Sequence, residues 1–191
     1  MDDSVADCRR CADLVDSRSR IVNGVGPPDA DLVFVGEAPG EQEDREGEPF
    51  VGRSGSILDE ALADAGVDRS DVRITNAVRC RPPENRDPRA AELDHCRDHL
   101  DAELRAVDPA VVVTLGKVPA EFLLDRSVAV TTEAGSIETV TLGGRPRDVV
   151  LSVHPAATLY DRSQRDVFDD TVALAIEGAG VESNQASIAD F

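Results

Sequence analysis

The sequence has no tryptophan, one tyrosine and one methionine among its 191 residues. It also lacks any apolar run close to the roughly 18 residues that a membrane-spanning helix needs. The first ten residues, MDDSVADCRR, are charged and unlike a signal peptide. No G-x-x-x-x-G-K-[ST] pattern is present, which argues against a phosphate-binding loop of that type. We therefore expect an intracellular, cytoplasmic protein that does not associate with membranes.

Positive charge is also scarce. The 20 Lys+Arg, of which only Lys117 is lysine, face 38 Asp+Glu, for a net charge of -18. Because 41% of the residues are hydrophobic, the chain is not a disordered acidic segment. Dispersed acidity indicates adaptation to high salt, as in a halophilic archaeon, and ordinary solvated acidity is the alternative. Bulk charge does not exclude a nucleic-acid partner, because local arginine patches matter more than the total.

Short valine-rich runs alternate with amphipathic segments along the chain. This alternation predicts a mainly parallel sheet of about four strands covered on both faces, a three-layer α/β/α fold. A hairpin around Gly143-Gly144 is expected to lead into the last strand. We expect one domain over residues 1–177 and a tail over 178–191. The predicted strands are 32–35, 72–75, 111–115 and 149–153, and the predicted helices are 54–66, 87–109, 117–125 and about 163–177.

Polar residues follow the predicted strands. Glu37 comes after the first strand, Asn76 after the second and His154 after the fourth, so they should meet at one edge of the sheet, where ligands bind in open α/β folds. Taken singly, Asn76 could cap a turn and His154 could be an ordinary core histidine. Phe50 lies in a loop rich in glycine and proline, residues 36–55, and an aromatic ring held there suits stacking on a flat heterocycle.

The four cysteines are Cys8, Cys11, Cys80 and Cys96. Thiols stay reduced inside cells, so four cysteines indicate a closed site of metal ligands rather than two disulfides. Zinc and an iron–sulfur cluster both accept four thiolates. His95 and His99 share one helix face and could contribute to a metal site, although a solvated helix face is the favoured interpretation.

Three segments, GEAPGEQED…GEPFVGRSG, ITNAVRCRPPENRDP and HPAA, together with this cysteine spacing, resemble the family-4 uracil-DNA glycosylases, which are iron–sulfur glycosylases of bacteria and archaea. The resemblance extends from Cys8 to about residue 177. It implies a DNA-repair enzyme that flips uracil out of DNA and hydrolyses its N-glycosidic bond, with a [4Fe-4S] cluster on the four cysteines. A relative that traps itself covalently on uracil has Gln where this chain has Ala38, so turnover is expected.

The resemblance also implies roles for single residues. Phe50 would stack on uracil, backbone amides near Ala38 and Phe50 would bind its carbonyls, and Asn76 would read its edge. His154 would donate to O2 of uracil, and Glu43 or Glu37 would orient water or face the cationic sugar. The candidates for contact with the DNA are Arg53, Ser54, Gly55, Arg79, Arg81, Arg86 and Arg89 at the backbone, with Leu159 or Tyr160 filling the gap left by the flipped base.

Two alternatives remain open for the function: a related glycosylase with another base preference, and a module that binds damaged bases without cutting. The tail carries Gln185-x-x-Ile188-x-x-Phe191, which resembles the motif that binds sliding clamps in archaeal and eukaryotic repair proteins. That motif usually ends in two aromatic residues, and only one is present here, so a chance match is the alternative. We expect a monomer.

Overall fold

The computed structural model of the protein describes residues 4–182. Its centre is a five-stranded sheet in the order β2-β1-β3-β5-β4. Four of the strands are parallel, and β4 pairs antiparallel with β5 through the predicted hairpin. The sheet therefore has one strand more than the sequence predicted. The strands are β1 Leu32–Gly36, β2 Arg73–Asn76, β3 Val111–Leu115, β4 Ile137–Leu142 and β5 Arg145–Ser152.

Seven α-helices are present within residues 4–182. A short 3-10 helix, Pro155–Leu159, also connects β5 to the last of them. No helix in this part of the chain is both long and apolar enough to cross a membrane. The helices are α1 Ala12–Ser17, α2 Glu41–Glu46, α3 Arg53–Asp64, α4 Ala90–Val107, α5 Lys117–Leu124, α6 Val130–Glu133 and α7 Ser163–Ala179.

Strand β1 shows why the sheet needs cover on both faces, since all five of its residues are buried. Alternate side chains point to opposite faces. Phe34 packs with apolar residues of α3 and α7, and Val33 and Val35 pack with those of α4 and α5. The predicted three-layer α/β/α architecture is confirmed.

Two local predictions were wrong in extent, and helices α1 and α2 were not predicted. The helix predicted over 87–109 is shorter, because Pro88 precedes its N-cap Arg89 and Asp108 ends it in the left-handed conformation. The stretch 36–55 is not one continuous loop, because α2 occupies its centre. That helix has only one buried residue, Asp44, so it offers no apolar periodicity to detect.

Candidate active site

The carboxyl ends of the parallel strands surround a pocket of about 280 Å³. Its volume is just below the usual range for ligand sites, about 300–1,000 Å³, which suits a single flat ring. The structure thus brings together the polar residues that the sequence placed after separate strands. The lining residues are Glu37, Ala38, Gly40, Glu43, Phe50, Ser54, Asn76, Asn85 and His154.

The Asn76 side chain lies over Gly36, its register partner across the β1–β2 pair. A Cβ atom at position 36 would come within 2.4 Å of Asn76 Oδ1 and 2.6 Å of Phe50 Cζ. Glycine is therefore required there for the amide and the ring to approach each other. Asn76 is 3% exposed, and within residues 4–182 no hydrogen bond joins its side chain to the protein. The amide is free to bond a ligand.

Phe50 forms the wall of the pocket that faces His154. Its backbone adopts a left-handed conformation with φ 55°, which is uncommon for a bulky residue and is typical of functional sites. A Cβ atom at position 55 would lie 1.7 Å from the Phe50 carbonyl oxygen, so Gly55 allows this close turn. The Phe50 and His154 ring centroids are 6.0 Å apart with an interplanar angle of 31°, and the two rings bound the space between them.

His154 follows β5 and caps the 3-10 helix that begins at Pro155. Its Nδ1 accepts the backbone N–H of Ala156 at 3.1 Å. Because Nδ1 is the acceptor, the proton of the neutral ring is on Nε2, which can donate to a ligand. Burial lowers the pKa of His154 below its usual 6.5, so the ring is a neutral donor at pH 7.

The two carboxylates of the pocket differ in environment. Burial, together with the charge of Asp87, raises the pKa of Glu37 from 4.5 to about 7. Glu43 accepts the backbone N–H of Gly40 through Oε2 at 3.1 Å and so caps α2. Glu43 is thus held in place by the helix it caps, whereas Glu37 changes its charge near neutral pH.

The residues predicted to contact DNA are in different settings. Arg53 is exposed at the start of α3, and Ser54 lines the pocket itself. Arg79 is 2% exposed and donates to Glu103 at 2.7 Å, so its predicted contact with the DNA backbone is wrong. Leu159 is 50% exposed at the end of the 3-10 helix.

Three further arginines already have partners: Arg81 with Asn85, Arg86 with Glu92 and Arg89 with Asp13.

The sequence analysis missed Asn85 as a residue of the pocket. Asn85 accepts Arg81 Nε at 2.7 Å through Oδ1, and it has a left-handed backbone with φ 53°. Its signal was the dipeptide Glu84-Asn85 in PPENRDP, since asparagine tolerates this conformation in turns. No local pattern places that turn beside the pocket, because the fold of the chain alone brings it there.

The four cysteines line one small cavity. Cys11 caps α1, Cys96 lies in α4 and Cys80 follows β2. Arg18 donates to Cys80 Sγ at 2.8 Å and to the Cys8 carbonyl at 2.7 Å. Burial raises the pKa of the Cys80 and Cys96 thiols, so their thiolates need a nearby cation.

This donor set fits a cluster held by four thiolates. Within residues 4–182 no three His, Cys, Asp or Glu side chains are arranged to hold a single metal ion. Four thiolates also suit a single zinc ion, with each sulfur about 2.3 Å from the metal. His95 Nδ1 lies 3.3 Å from Cys11 Sγ, and His99 has a buried Nε2 without a partner among the described residues.

The fold and the pocket together define an α/β protein with a small pocket, walled by one aromatic ring, at the carboxyl ends of its parallel strands, where ligands bind in open α/β sheets. Comparison with known proteins narrows that class. Residues 23–175 match the Uracil DNA glycosylase superfamily. The chain is 42% identical over 169 residues to the type-4 uracil-DNA glycosylase of Archaeoglobus fulgidus, covering 86% of this chain and 84% of that one.

Two further relatives are also uracil-DNA glycosylases. A type-4 uracil-DNA glycosylase of Thermotoga maritima is 41% identical, covering 87% of this chain and 86% of its own. A type-5 uracil-DNA glycosylase of Thermus thermophilus is 33% identical, covering 61% of this chain and 67% of its own. The chain belongs to the uracil-DNA glycosylase superfamily and, within it, to the type-4 family.

Proposed function

We propose that the protein is a DNA-repair glycosylase that flips uracil out of DNA and hydrolyses its N-glycosidic bond, leaving an abasic site. The observation that carries this proposal is the pocket in which Phe50, the unpaired amide of Asn76 and Nε2 of His154 converge. A flipped base costs a few kcal/mol to unstack, and a tight pocket with an aromatic wall offsets that cost. We propose that it acts on cellular DNA in the cytoplasm, as a monomer.

Selectivity for uracil follows from the Asn76 amide, which has one acceptor and two donors. Its oxygen can accept N3–H of uracil while its nitrogen donates to O4. Cytosine reverses both groups, so it would leave two buried mismatches at about 1–3 kcal/mol each. Gly36 leaves room for the Asn76 amide to approach the ring of Phe50, where a base would be read.

Cleavage requires stabilisation of the departing base. As the glycosidic bond breaks, negative charge develops on uracil and positive charge on the sugar. The Nε2–H of His154 donates to O2, where that negative charge appears, and so lowers the barrier rather than merely binding the substrate. A neutral imidazole is suited to this because its hydrogen bond strengthens as the charge grows.

Water must then reach the sugar. Glu43 and Glu37 line the same pocket and supply carboxylates for this step. Either carboxylate can orient the water or face the cationic sugar. The proton released from water is accepted by the carboxylate that holds the water, and Glu37 is the better acceptor because its pKa is raised to about 7.

The direct test uses an oligonucleotide with one uracil. Free uracil and an alkali-labile abasic site are expected with the wild type, and neither would form with a module that only binds the base. Matched oligonucleotides carrying hypoxanthine, or thymine opposite guanine, test the other base preferences. Asn76→Asp should lose the preference for uracil over cytosine, and equal selectivity in that variant would exclude Asn76 as the reader.

For the cofactor, we propose that Cys8, Cys11, Cys80 and Cys96 hold a [4Fe-4S] cluster. The cluster would tie the N-terminal segment to the chain after β2 and to α4, and when bound it also offers redox chemistry. The four cysteines line one cavity, and the resemblance of the chain to the iron–sulfur glycosylases, with its type-4 relatives, favours a cluster over zinc. A brown protein with four irons and four sulfides per chain would establish this, and one zinc with no visible colour would contradict it.

For the tail, we propose that Gln185, Ile188 and Phe191 bind a sliding clamp. These residues lie outside the described part of the chain, and the support is their spacing, which would put Ile188 and Phe191 on one face of a helical turn formed on binding. Tethering to the clamp would raise the local concentration of the glycosylase at replicating DNA. Purified clamp should bind the full chain but neither a chain ending at Ser183 nor Phe191→Ala, and equal binding by all three would exclude the motif.

A further inference from the structure

Helix α2 is attached to the rest of the protein by a carboxyl group rather than by an apolar face. Its six residues, EQEDRE, include no apolar side chain, and the one that is buried is Asp44, at 3% exposed. Helices shorter than about 12–15 residues are marginal in water on their own. The position of α2 therefore depends largely on the contacts that Asp44 makes.

The Asp44 carboxyl accepts backbone N–H groups from the segment that follows α1. The Ser19 N–H donates to both carboxyl oxygens at 2.9 Å, and the Arg20 N–H approaches Oδ1 at 3.4 Å. A buried carboxyl group is costly unless it is hydrogen-bonded, and here both oxygens have a partner. These bonds fasten α2 to a part of the chain that lies 25 residues earlier.

The segment that receives α2 is itself held in place. The Arg18 N–H donates to the Leu14 carbonyl at 3.0 Å, at the end of α1. The Arg18 guanidinium donates to Cys80 Sγ at 2.8 Å and to the Cys8 carbonyl at 2.7 Å. The Ser19 N–H therefore belongs to a segment joined both to α1 and to the chain after β2.

Glu43 precedes Asp44 in α2 and lines the base pocket. Its Oε2 accepts the Gly40 N–H at 3.1 Å, and its carbonyl accepts the Gly47 N–H at 2.7 Å, so the residue moves with the helix. Within residues 4–182 no hydrogen bond joins its Oε1 to the protein. That oxygen can serve the reaction only while the helix keeps it in the right place.

We propose that Asp44 is the positioning residue of Glu43. By bonding the Ser19 N–H, Asp44 holds α2 where the Glu43 carboxylate orients the water or faces the cationic sugar. Asp44 does not line the pocket and acts through Glu43. This rests on the proposed function, and it adds a residue that the cleavage step needs although the substrate does not touch it.

A double-mutant cycle tests whether the effect passes through Glu43. Single-turnover release of uracil from saturating oligonucleotide is measured for Asp44→Ala, Glu43→Gln and the double variant. Asp44→Ala should lower the rate about 10- to 100-fold, the cost of misplacing a group by about 1 Å. In the Glu43→Gln background, Asp44→Ala should cause little further loss, because the carboxylate that it positions is already absent. Affinity for abasic product DNA should stay unchanged in all three.

The matched control is Glu46→Ala, which removes an exposed acidic side chain from the same helix and should keep the wild-type rate. Amide hydrogen exchange gives a readout other than activity. The α2 amides should exchange about 10- to 100-fold faster in Asp44→Ala than in Glu46→Ala, since a bond to a buried carboxyl group is lost. Asp44→Asn keeps the shape and one acceptor, so it should show the same pattern with smaller losses if the alanine variant folds poorly.

Additive losses in the double variant would show that Asp44 affects the rate by another route, and they would overturn the proposal. A wild-type rate in Asp44→Ala, or in Glu43→Gln, would overturn it as well. Uracil release by the wild type is measured in parallel. A wild type that releases uracil beside any of these results disproves the anchoring role alone, whereas a wild type that releases none rejects the glycosylase function on which the proposal rests.

Discussion

One backbone hydrogen bond sets the tautomer of the His154 ring. The Ala156 N–H that Nδ1 accepts fixes the proton on Nε2, and the lowered pKa keeps the ring neutral. Neither feature is visible in the sequence, where HPAA only shows a histidine before a turn. The chemical function of the residue is therefore set by the geometry of the three residues that follow it.

Replacing His154 with glutamine should test that function. The expected result is a fall of about 10²- to 10³-fold in the single-turnover rate of uracil release, the usual cost of removing one donor to a developing anion. Binding of abasic product DNA should change little, because the donor acts as the charge appears. A rate close to that of the wild type would exclude His154 as the donor.

Titration of Glu37 makes both folding stability and activity depend on pH, and the two change in opposite directions as the pH rises. Its pKa is 4.5 in the unfolded chain and about 7 in the folded protein. Between these values the unfolded chain has released a proton that the folded protein keeps, so folding stability falls as pH rises through this range and the full cost is present above pH 7. If Glu37 is the base, activity rises through the same pH.

Glu37→Gln should therefore lose activity and gain stability. Above pH 7 the variant is expected to be more stable than the wild type by about 1–3 kcal/mol, with no difference below pH 4.5. Its rate of uracil release should be lower and should no longer rise near pH 7. Equal denaturant midpoints at pH 5 and pH 8 in both proteins, or a retained pH dependence of the rate, would contradict this assignment.

At the scale of elements, helix α4 and strand β2 are joined by a buried charge cluster. Glu103 of α4 is 0% exposed and accepts Arg73 Nε at 2.6 Å, Arg79 Nη2 at 2.7 Å and Thr75 Oγ1 at 2.8 Å. Gly24 leaves room for this carboxylate, since a Cβ there would lie 2.0 Å from Glu103 Oε1. This charge cluster therefore joins α4 to β2, the strand that ends at Asn76.

Glu103→Ala should destabilise the protein by about 3–5 kcal/mol, because it leaves the buried guanidinium of Arg79 without its counter-charge. The measurement is the denaturant midpoint at pH 7. Glu41→Ala is the matched control, since it removes an exposed i,i+4 pair with Arg45 and should cost less than about 1 kcal/mol. Similar losses of folding stability in both variants would show that burial of an ion pair does not determine how strongly its removal destabilises the protein.

The cysteine site and the base pocket share a wall. Ala38 lines the pocket and packs against the apolar residues around Cys80 and Cys96. Val78 N–H donates to the Glu37 carbonyl at 2.9 Å, so the chain between Asn76 and Cys80 is bonded to the loop that follows β1. A group bound by the cysteines would hold this wall in place without touching the base.

Much of the architecture could be predicted because its signals are local. The four parallel strands are valine-rich runs, and Gly143-Gly144 marks the hairpin. Helix α7 ends at Ala179, two residues beyond the predicted end, because Gly180 follows it in the left-handed conformation. Helix α2 could not be predicted, because EQEDRE has no apolar face and its N-terminus is capped by a carboxylate from within the helix.

The candidate site was predictable only in part. Asn76 and His154 follow strands, and parallel strands bring their ends together, so their convergence is a consequence of topology. Asn85, by contrast, is in a turn between elements, and Arg79 looked like a surface cation in RCRPPENR. Its burial depends on Glu103, 24 residues later in the chain, and no local pattern records such a pairing.

At the scale of the whole molecule, acidic charge exceeds basic charge almost twofold, with 38 Asp+Glu and 20 Lys+Arg. Many of the arginines are already used in ion pairs, so the excess carboxylates repel one another across the surface. This repulsion acts over about 10 Å in 0.1 M salt and about 3 Å in 1 M salt. Self-repulsion of this kind destabilises the compact state.

Stability should therefore rise with salt. The unfolding temperature is expected to increase steadily as KCl is raised from dilute buffer to the molar range, because screening removes repulsion from the folded state more than from the expanded chain. Uracil release should persist in molar KCl. Glycerol at matched viscosity is the control, since it screens no charge. An unfolding temperature that falls with KCl, or activity lost in molar KCl while the fold is intact, would show that the acidic surface is not an adaptation to salt.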